Sequence, residues 1–249
     1  IFISIRGSFA TRPLGVINGY ISDSFIQGQL VLNGAFTGWH GLLNSSDDAF
    51  EARISSDAIV EQLGKMGFTG SVSYPFYRTT KNEPDLAHLN IPDKPNVVIF
   101  ILESWCSYYI DSFGKNGFSA TPNFDRLAAN GRRFLNFFAN GTRSIEAIQS
   151  ILTGFPALKG LPTLGQGFEL MHISKLGSLA QKKGYETFFA QSSKRGSFHL
   201  DAVARAVGFK NYFGAEDYER ILDYGSVEDP LFGWDYESLL HLFGKIDSQ

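Results

Sequence analysis

One apolar stretch constrains this chain more than any other: Asn96-Val97-Val98-Ile99-Phe100-Ile101-Leu102, closed by Glu103. A continuous apolar run of strand length is the mark of an interior strand in a parallel sheet, covered on both faces. Such sheets gather their chemistry outside the carboxyl ends of the strands. Glu103 is therefore a candidate metal ligand. About forty residues on, Gly141-Thr142-Arg143-Ser144 opens a helical run from Ile145 to Leu152. A hydroxyl at a helix start sits where backbone N–H groups and the helix dipole favour anions. Together the two stretches suggest a metal-activated threonine attacking a phosphate or sulfate ester.

The rest of the chain supports the same fold class. Residues 1 to about 90 lack any alternation of strand and helix. Ser22 to Leu43 has room for one or two helices. Ser46 to Lys65 places Ala49, Phe50, Ile54, Ile59, Val60 and Leu63 at roughly helical spacing, with Ser45, Ser46 and Asp47 as caps. After Pro92-Asp93-Lys94-Pro95 the rhythm changes. The spacing predicts a short helix over Thr121–Gly131, with Thr at the N-cap and Pro at the first position. It predicts a strand over Arg133–Ala139, a helix over Ser144–Leu152 and a helix over Ile173–Lys183. A third strand is expected over Tyr185–Ala190, a helix over Leu200–Val207, an extended piece over Phe209–Phe213 and a last helix over Asp235–Phe243. Strands alternating with helices of this length imply a parallel or mostly parallel α/β sheet.

Composition excludes several classes. With 249 residues, 43% hydrophobic and 23 of them Phe, the chain can bury a core and is not a disordered segment. A net charge of −3 and the lack of a long basic run give no footprint for nucleic acid. The single cysteine, Cys106, excludes an intramolecular disulfide and a Cys-rich zinc site. No apolar run reaches the length of a membrane helix. The chain begins at Ile1 without a methionine, and is expected to be a piece of something longer.

The block 96–103, then Thr121-Pro122-Asn123-Phe124-Asp125-Arg126-Leu127, then Asn140-Gly141-Thr142-Arg143-Ser144, resembles the sulfatase branch of the alkaline phosphatase superfamily. Within it the chain is most similar to the lipoteichoic acid synthase and membrane phosphoglycerol transferase group. Arg6-Gly7-Ser8, Arg12-Pro13-Leu14 and Leu30-Val31-Leu32-Asn33 resemble the stretch joining that group's membrane helices to its catalytic domain. Gly208-Phe209, Asp217-Tyr218 and Gly233-Trp234-Asp235 are similar to its later landmarks.

The resemblance implies a three-layer α/β/α sandwich of alkaline phosphatase type, truncated at its C-terminal side. Residues 1–92 would be an irregular, partly helical wrap after a membrane region, and residues 93–249 the first part of the catalytic domain. Glu103 would be a metal ligand, and Thr142 both ligand and nucleophile. The ion would be one divalent metal, Mn2+, with Mg2+ or Zn2+ as alternatives. The implied reaction moves a phosphoglycerol or related phospho-group from a phospholipid headgroup donor to a glycan or lipid acceptor, through a phospho-threonine. A membrane anchor upstream would place the catalytic domain on the extracellular or periplasmic side of the cell membrane.

Two departures bear on this. Sulfatases proper carry a Cys/Ser-x-Pro-x-Arg motif, whose Cys or Ser becomes formylglycine. Thr142-Arg143-Ser144-Ile145-Glu146 lacks it, which favours phosphoryl transfer. The group's remaining metal ligands are an Asp-His pair, and this chain has no such dipeptide. Two ligands alone hold a divalent ion weakly. The alternatives are a phosphoric or sulfuric ester hydrolase and an inactive truncated domain.

Each candidate also has a plainer reading. Glu103 reads equally as a solvated strand end, and Thr142 as a helix N-cap. Arg143 would hold a phosphate oxygen or be a surface charge. His199, in the loop after the third strand, would touch substrate, with Ser192 and Arg195 as weaker candidates. Trp105 and Cys106 are expected in the core, and Phe134–Phe138 as buried strand. Asp125 and Arg126 read as helix surface charges, and His40, His88, His172 and His241 show no ligand spacing.

Overall fold

A computed structural model of the chain describes residues 15–19, 21, 25–32, 34, 38–39, 42, 54–75, 77, 92–114, 116–117, 119–158, 161–171, 173–222 and 235–247. They fall into two compact units. One comprises Ile1–Ala49 with Phe138–Gln249, the other Phe50–Phe137.

The first unit holds the α/β part. A 3-10 turn at Val16–Gly19 precedes α1 (Phe25–Val31). Three helices belong to the other unit: α2 (Ser56–Lys65), the single turn α3 (Asp111–Gly114) and α4 (Pro122–Ala129). The first unit then continues with α5 (Ser144–Thr153), α6 (Leu176–Lys182), β1 (Phe188–Ala190), α7 (Leu200–Ala206), β2 (Asn211–Phe213) and α8 (Asp235–Asp247).

β1 and β2 pair in parallel, with Phe188 opposite Asn211, Phe189 opposite Tyr212 and Ala190 opposite Phe213. A parallel pair needs a crossover, and α7 supplies it. Its sequence Leu-Asp-Ala-Val-Ala-Arg-Ala buries Ala202, Val203, Ala204 and Ala206 almost completely. A helix apolar on nearly every side belongs inside a core. Here that core also holds Ile17, Leu152, Leu164, Phe168 and Val207, with Ile148, Leu176 and Phe189 packed against it. Phe189 lies between the rings of Phe209 and Tyr212, at centroid distances of 5.5 and 5.7 Å. α6 approaches the end of α7 through two glycines. A Cβ on Gly177 would stand 2.5 Å from the Gly208 carbonyl carbon, so the backbones meet directly.

The expected helices over 144–152, 173–183, 200–207 and 235–243 are therefore present, as are the strand ending at Ala190 and the extended piece ending at Phe213. The architecture is α/β, with helices around a small parallel sheet.

The second unit differs from expectation. Residues 95–102 form no ladder, and Val97 to Leu102 are 44–69% exposed. The apolar run has the composition of an interior strand, but a strand exists only with a hydrogen-bonding neighbour. No described residue supplies one. Residues 133–137, and 138–139 of the first unit, likewise form turns and extended coil, with Phe134, Leu135, Phe137 and Phe138 exposed. Trp105 is also exposed rather than a core aromatic, although its ring lies 5.7 Å from that of Phe124. Cys106 is exposed, not buried.

Local polar contacts organise this unit instead. Ser55 caps α2, its hydroxyl accepting from the Ala58 N–H at 3.3 Å. The expected earlier start of that helix lies outside the described residues. Thr121 precedes α4 as anticipated, but its hydroxyl donates to Asp125 Oδ2 at 3.0 Å instead of capping an amide. Asp125 Oδ1 accepts from the Ser112 N–H at 2.9 Å. Asp125 is thus a tie between α4 and the start of α3, not a free surface charge. The Ser112 hydroxyl, then the Ser112 N–H and the Thr121 hydroxyl, hold its carboxyl below the usual carboxylate range against an opposing effect of burial.

Candidate active site

The segment before α5 is built from short-range contacts. Arg143, extended at φ −118° and ψ 146°, is the N-cap residue. Thr142 therefore lies one position outside the helix, and the N-cap reading of it does not hold. Glu146, in the first turn, reaches back across the helix start. Its Oε2 accepts from the Thr142 N–H at 2.6 Å and from the Arg143 N–H at 3.1 Å. This is one half of a capping box. An arginine side chain has no acceptor with which to return the bond.

Gly141 makes the arrangement sterically feasible. It sits at φ +120°, and a Cβ there would stand 2.5 Å from both Cβ and Oε2 of Glu146. On the other side, Asn140 Oδ1 accepts from the Ala157 N–H at 3.1 Å. The segment is thus anchored fore and aft. Thr142 and Arg143 themselves are exposed. No described residue makes a hydrogen bond to the Thr142 hydroxyl.

A helix start is an anion site because its first N–H groups lack intrahelical partners. At α5 a carboxylate of the chain already takes the amides of Thr142 and Arg143. These two amides, at and just before the N-cap, are thereby engaged by the chain itself.

His199 belongs to the same unit and precedes α7. It stands at φ +57°, directly after Phe198 at φ +56°. Two consecutive non-glycine residues in the left-handed region cost roughly 1–3 kcal/mol each, and surrounding contacts must hold them. One is Asn18, whose Nδ2 lies 3.3 Å from His199 Nδ1. Asn18 Oδ1 in turn accepts from the Gly15 N–H at 2.8 Å. With Nδ1 accepting, the ring proton resides on Nε2, an assignment made from this hydrogen bond.

Arg195 and Ser192, in the same loop, do structural work. Arg195 pairs with Asp217, its N–H donates to Glu216 Oε2 at 2.8 Å, and its carbonyl accepts from the Tyr212 hydroxyl at 3.0 Å. The Ser192 carbonyl accepts from the Tyr218 hydroxyl. These bonds join the loops that leave β1 and β2. Burial, and after it the charge of Glu237, pushes the Tyr218 phenol up to about 12. Burial, followed by Asp201, raises that of Tyr212 well above its ordinary value. Both hydroxyls therefore stay protonated donors at neutral pH.

Glu103 belongs to the Phe50–Phe137 unit. It is exposed in a turn with Ser104, which adopts φ +55°, and the Ser104 hydroxyl lies 3.5 Å from Glu103 Oε1. It does not end a strand. Among the described residues, no group of three or more His, Cys, Asp or Glu is placed to hold a metal. Glu103 and Thr142 belong to different units, and the described residues of neither unit form a complete metal centre. His241 packs its ring on Phe213, at 5.1 Å between centroids, while His40, His88 and His172 lie outside the described residues.

Glu146 and Asn140 are the residues that sequence reasoning passed over. The three-residue spacing from N-cap to Glu146 carried the signal for the first. Asn140 had none, because its partner lies seventeen residues away.

The Sulfatase family model matches residues 95–242, more than half of the chain and inclusive of Glu103, Thr142, Arg143 and His199. The chain belongs to the sulfatase family. Membership carries an alkaline-phosphatase-like α/β fold, with which the parallel strands and their crossover helix agree. It makes the protein an enzyme of sulfatase-like ester hydrolysis or related phospho- or sulfo-transfer, in a family whose domains are generally metal-dependent. No solved structure matches the chain.

Proposed function

We propose that this chain is part of a phosphoglycerol transferase in which Thr142 is the covalent nucleophile. The observation that carries the reading is the state of Thr142. The residue is exposed and its hydroxyl is without a hydrogen-bond partner among the described residues, while its backbone is held from inside the helix by Glu146. A nucleophile needs that combination of a fixed main chain and an accessible oxygen. The absence of a Cys/Ser-x-Pro-x-Arg motif around it supports phosphorus over sulfur as the electrophile.

In this reading Thr142 Oγ1 attacks the phosphorus of a phospholipid headgroup, forming an O–P bond and releasing its proton. The bond to the diacylglycerol oxygen breaks, and that oxygen takes up a proton. A hydroxyl of a glycan or lipid acceptor then attacks phosphorus and loses its proton, the bond to Thr142 Oγ1 breaks, and Oγ1 takes up a proton. Arg143 and His199 would contact the substrate. The divalent ion, Mn2+ with Mg2+ or Zn2+ as alternatives, would use Glu103 and Thr142 as ligands. The domain would adopt the three-layer sandwich and work on the outer face of the cell membrane. Among the described residues, no helix is long and apolar enough to cross a membrane.

Hydrolysis of phosphoric or sulfuric esters is the second reading. The solvent exposure of Thr142 favours it, since water reaches the same position.

The test uses the full-length protein with phosphatidylglycerol vesicles and Mn2+. Mass spectrometry should find a glycerophosphoryl group on Thr142, and Thr142→Ala should lower turnover by orders of magnitude. Near-normal turnover in Thr142→Ala, together with its loss in Glu103→Gln, would make water the nucleophile and the protein a hydrolase.

A further inference from the structure

We infer that Glu146 is a positioning residue for Thr142: its carboxylate fixes the backbone that carries the hydroxyl, and does so from the helix rather than from the substrate. This rests on the reading of Thr142 as nucleophile and deepens it. The starting point is where Thr142 stands. One residue outside α5, its φ and ψ are not set by helical hydrogen bonds. A rotation of the peptide there would swing Oγ1 through distances comparable to a bond length. Misplacement of a reacting atom by about 1 Å can cost roughly 100-fold in rate.

Glu146 Oε2 removes that freedom by accepting from two successive amides, at 2.6 and 3.1 Å. Hydrogen bonds to an ionised acceptor are the stronger kind. Two of them converging on one atom hold both peptides that flank the Thr142 Cα, Gly141–Thr142 and Thr142–Arg143. The fit extends to Gly141, where a Cβ would overlap the Glu146 side chain at 2.5 Å. Asn140, bonded to the Ala157 N–H, prevents the segment from pivoting about its other end.

Two features set the kind of role. The carboxylate spends its bonds on backbone N–H groups and makes none to the threonine hydroxyl, so the contact is one of placement and not of proton transfer. Because the interaction needs an acceptor oxygen at a set reach, a glutamine can supply it and an aspartate, one methylene shorter, cannot. Side-chain length therefore matters more than charge. The same occupancy has a consequence for recognition. Amides already bound to Glu146 are unavailable to a phosphate, so the anion must be held by other groups.

The experiment compares Glu146→Ala, Glu146→Gln, Glu146→Asp and Thr142→Ala in the full-length protein. Turnover is measured on phosphatidylglycerol vesicles with Mn2+, alongside melting temperature and the yield of modified Thr142. Glu146→Ala and Glu146→Asp should lower kcat about 10- to 100-fold with KM nearly unchanged, as misplacement of a bound reactant requires. Glu146→Gln should keep kcat within about fivefold, since the geometric term is retained. A residue serving only as a helix cap would move the melting temperature and leave kcat alone, and that result overturns the inference. If Glu146→Ala does not fold, the contrast between glutamine and aspartate decides: equal kcat in the two also overturns it. Turnover surviving in Thr142→Ala overturns the nucleophile reading and this inference with it. An inactive Thr142→Ala beside an unchanged kcat in Glu146→Ala overturns the inference alone.

Discussion

Gly141→Ala tests the helix start as a piece of stereochemistry, independent of any activity. Two costs add at this site. The residue holds φ +120°, where an L side chain is strained, at roughly 1–3 kcal/mol. Its new Cβ would also meet Cβ and Oε2 of Glu146 at 2.5 Å, and neither can remain. Glu146 has to withdraw, and the bonds to the Thr142 and Arg143 amides go with it. Losing a helix cap costs about 0.5–2 kcal/mol. The sum is about 1.5–5 kcal/mol, which for a domain of this size lowers Tm by roughly 3–20 °C. The assay is thermal denaturation followed by circular dichroism, run in the wild-type background and in Glu146→Ala. In Glu146→Ala the clash with the residue-146 Cβ and the strain at φ +120° persist, but the cap is already lost, so that second cost should vanish and the two substitutions should be non-additive by about 1–2 kcal/mol. A Tm change below about 2 °C in Gly141→Ala, or strict additivity with Glu146→Ala at the precision such cycles allow, would refute the account.

Two further outcomes follow from buried or tied carboxyls. Glu169 is fully buried, with Oε2 accepting from the Gly165 and Gly167 N–H groups and Oε1 without a hydrogen-bond partner among the described residues. Desolvation raises its pKa above the ordinary 4.5, more than those amides and Lys175 lower it. A raised value means the folded state prefers the protonated form, so stability from this group is complete below pH 4.5 and fades as pH climbs through the folded value. Glu169→Gln should flatten that decline and be no less stable than wild type at pH 7, and a loss above about 1 kcal/mol in urea denaturation would contradict it. Asp125 has the opposite sign. Its pKa lies below 3.8, so its contribution is present above that pH and disappears as acid titrates the folded group. Asp125→Asn should loosen the contact between α4 and α3 already at neutral pH and remove the acid transition. The fluorescence of Trp105, packed on the neighbouring Phe124, reports both.

Local signals were legible in the sequence wherever their partners lay nearby. α5 is bracketed by its entry segment and by Gly154 at φ +69°, and both ends show in the residue types. α7 announced itself by an apolar composition closed by Gly208, and the strand before it by the apolar Phe188-Phe189-Ala190. The run at 96–102 carried an equally clear signal and misled. Apolarity records a demand for burial but does not name the neighbour that satisfies it, and no ladder forms there. Phe134–Phe138 failed for the same reason. Thr142 was found as a candidate, yet its relation to the helix was off by one residue, because the capping carboxylate selects Arg143 as the N-cap. The paired left-handed conformations of Phe198 and His199 left no trace in the sequence, since neither is a glycine or an asparagine. Asp125 looked like a solvated charge because its partner at Ser112 is thirteen residues away.

The uncovered stretch from Val97 to Leu102 also governs how such molecules behave toward one another. Six apolar residues in a row, three of them β-branched valines or isoleucines within the first three positions, with no charge and no proline, form a ready template for intermolecular cross-β stacking. Pairing between molecules depends on their meeting, so its rate rises with the square of concentration, whereas intramolecular folding does not depend on concentration at all. Molecules with this stretch open are therefore colloidally safe when dilute. Crowded together, they nucleate assemblies, and the charged Glu103 and Lys94 that flank the run are the gatekeepers that slow this.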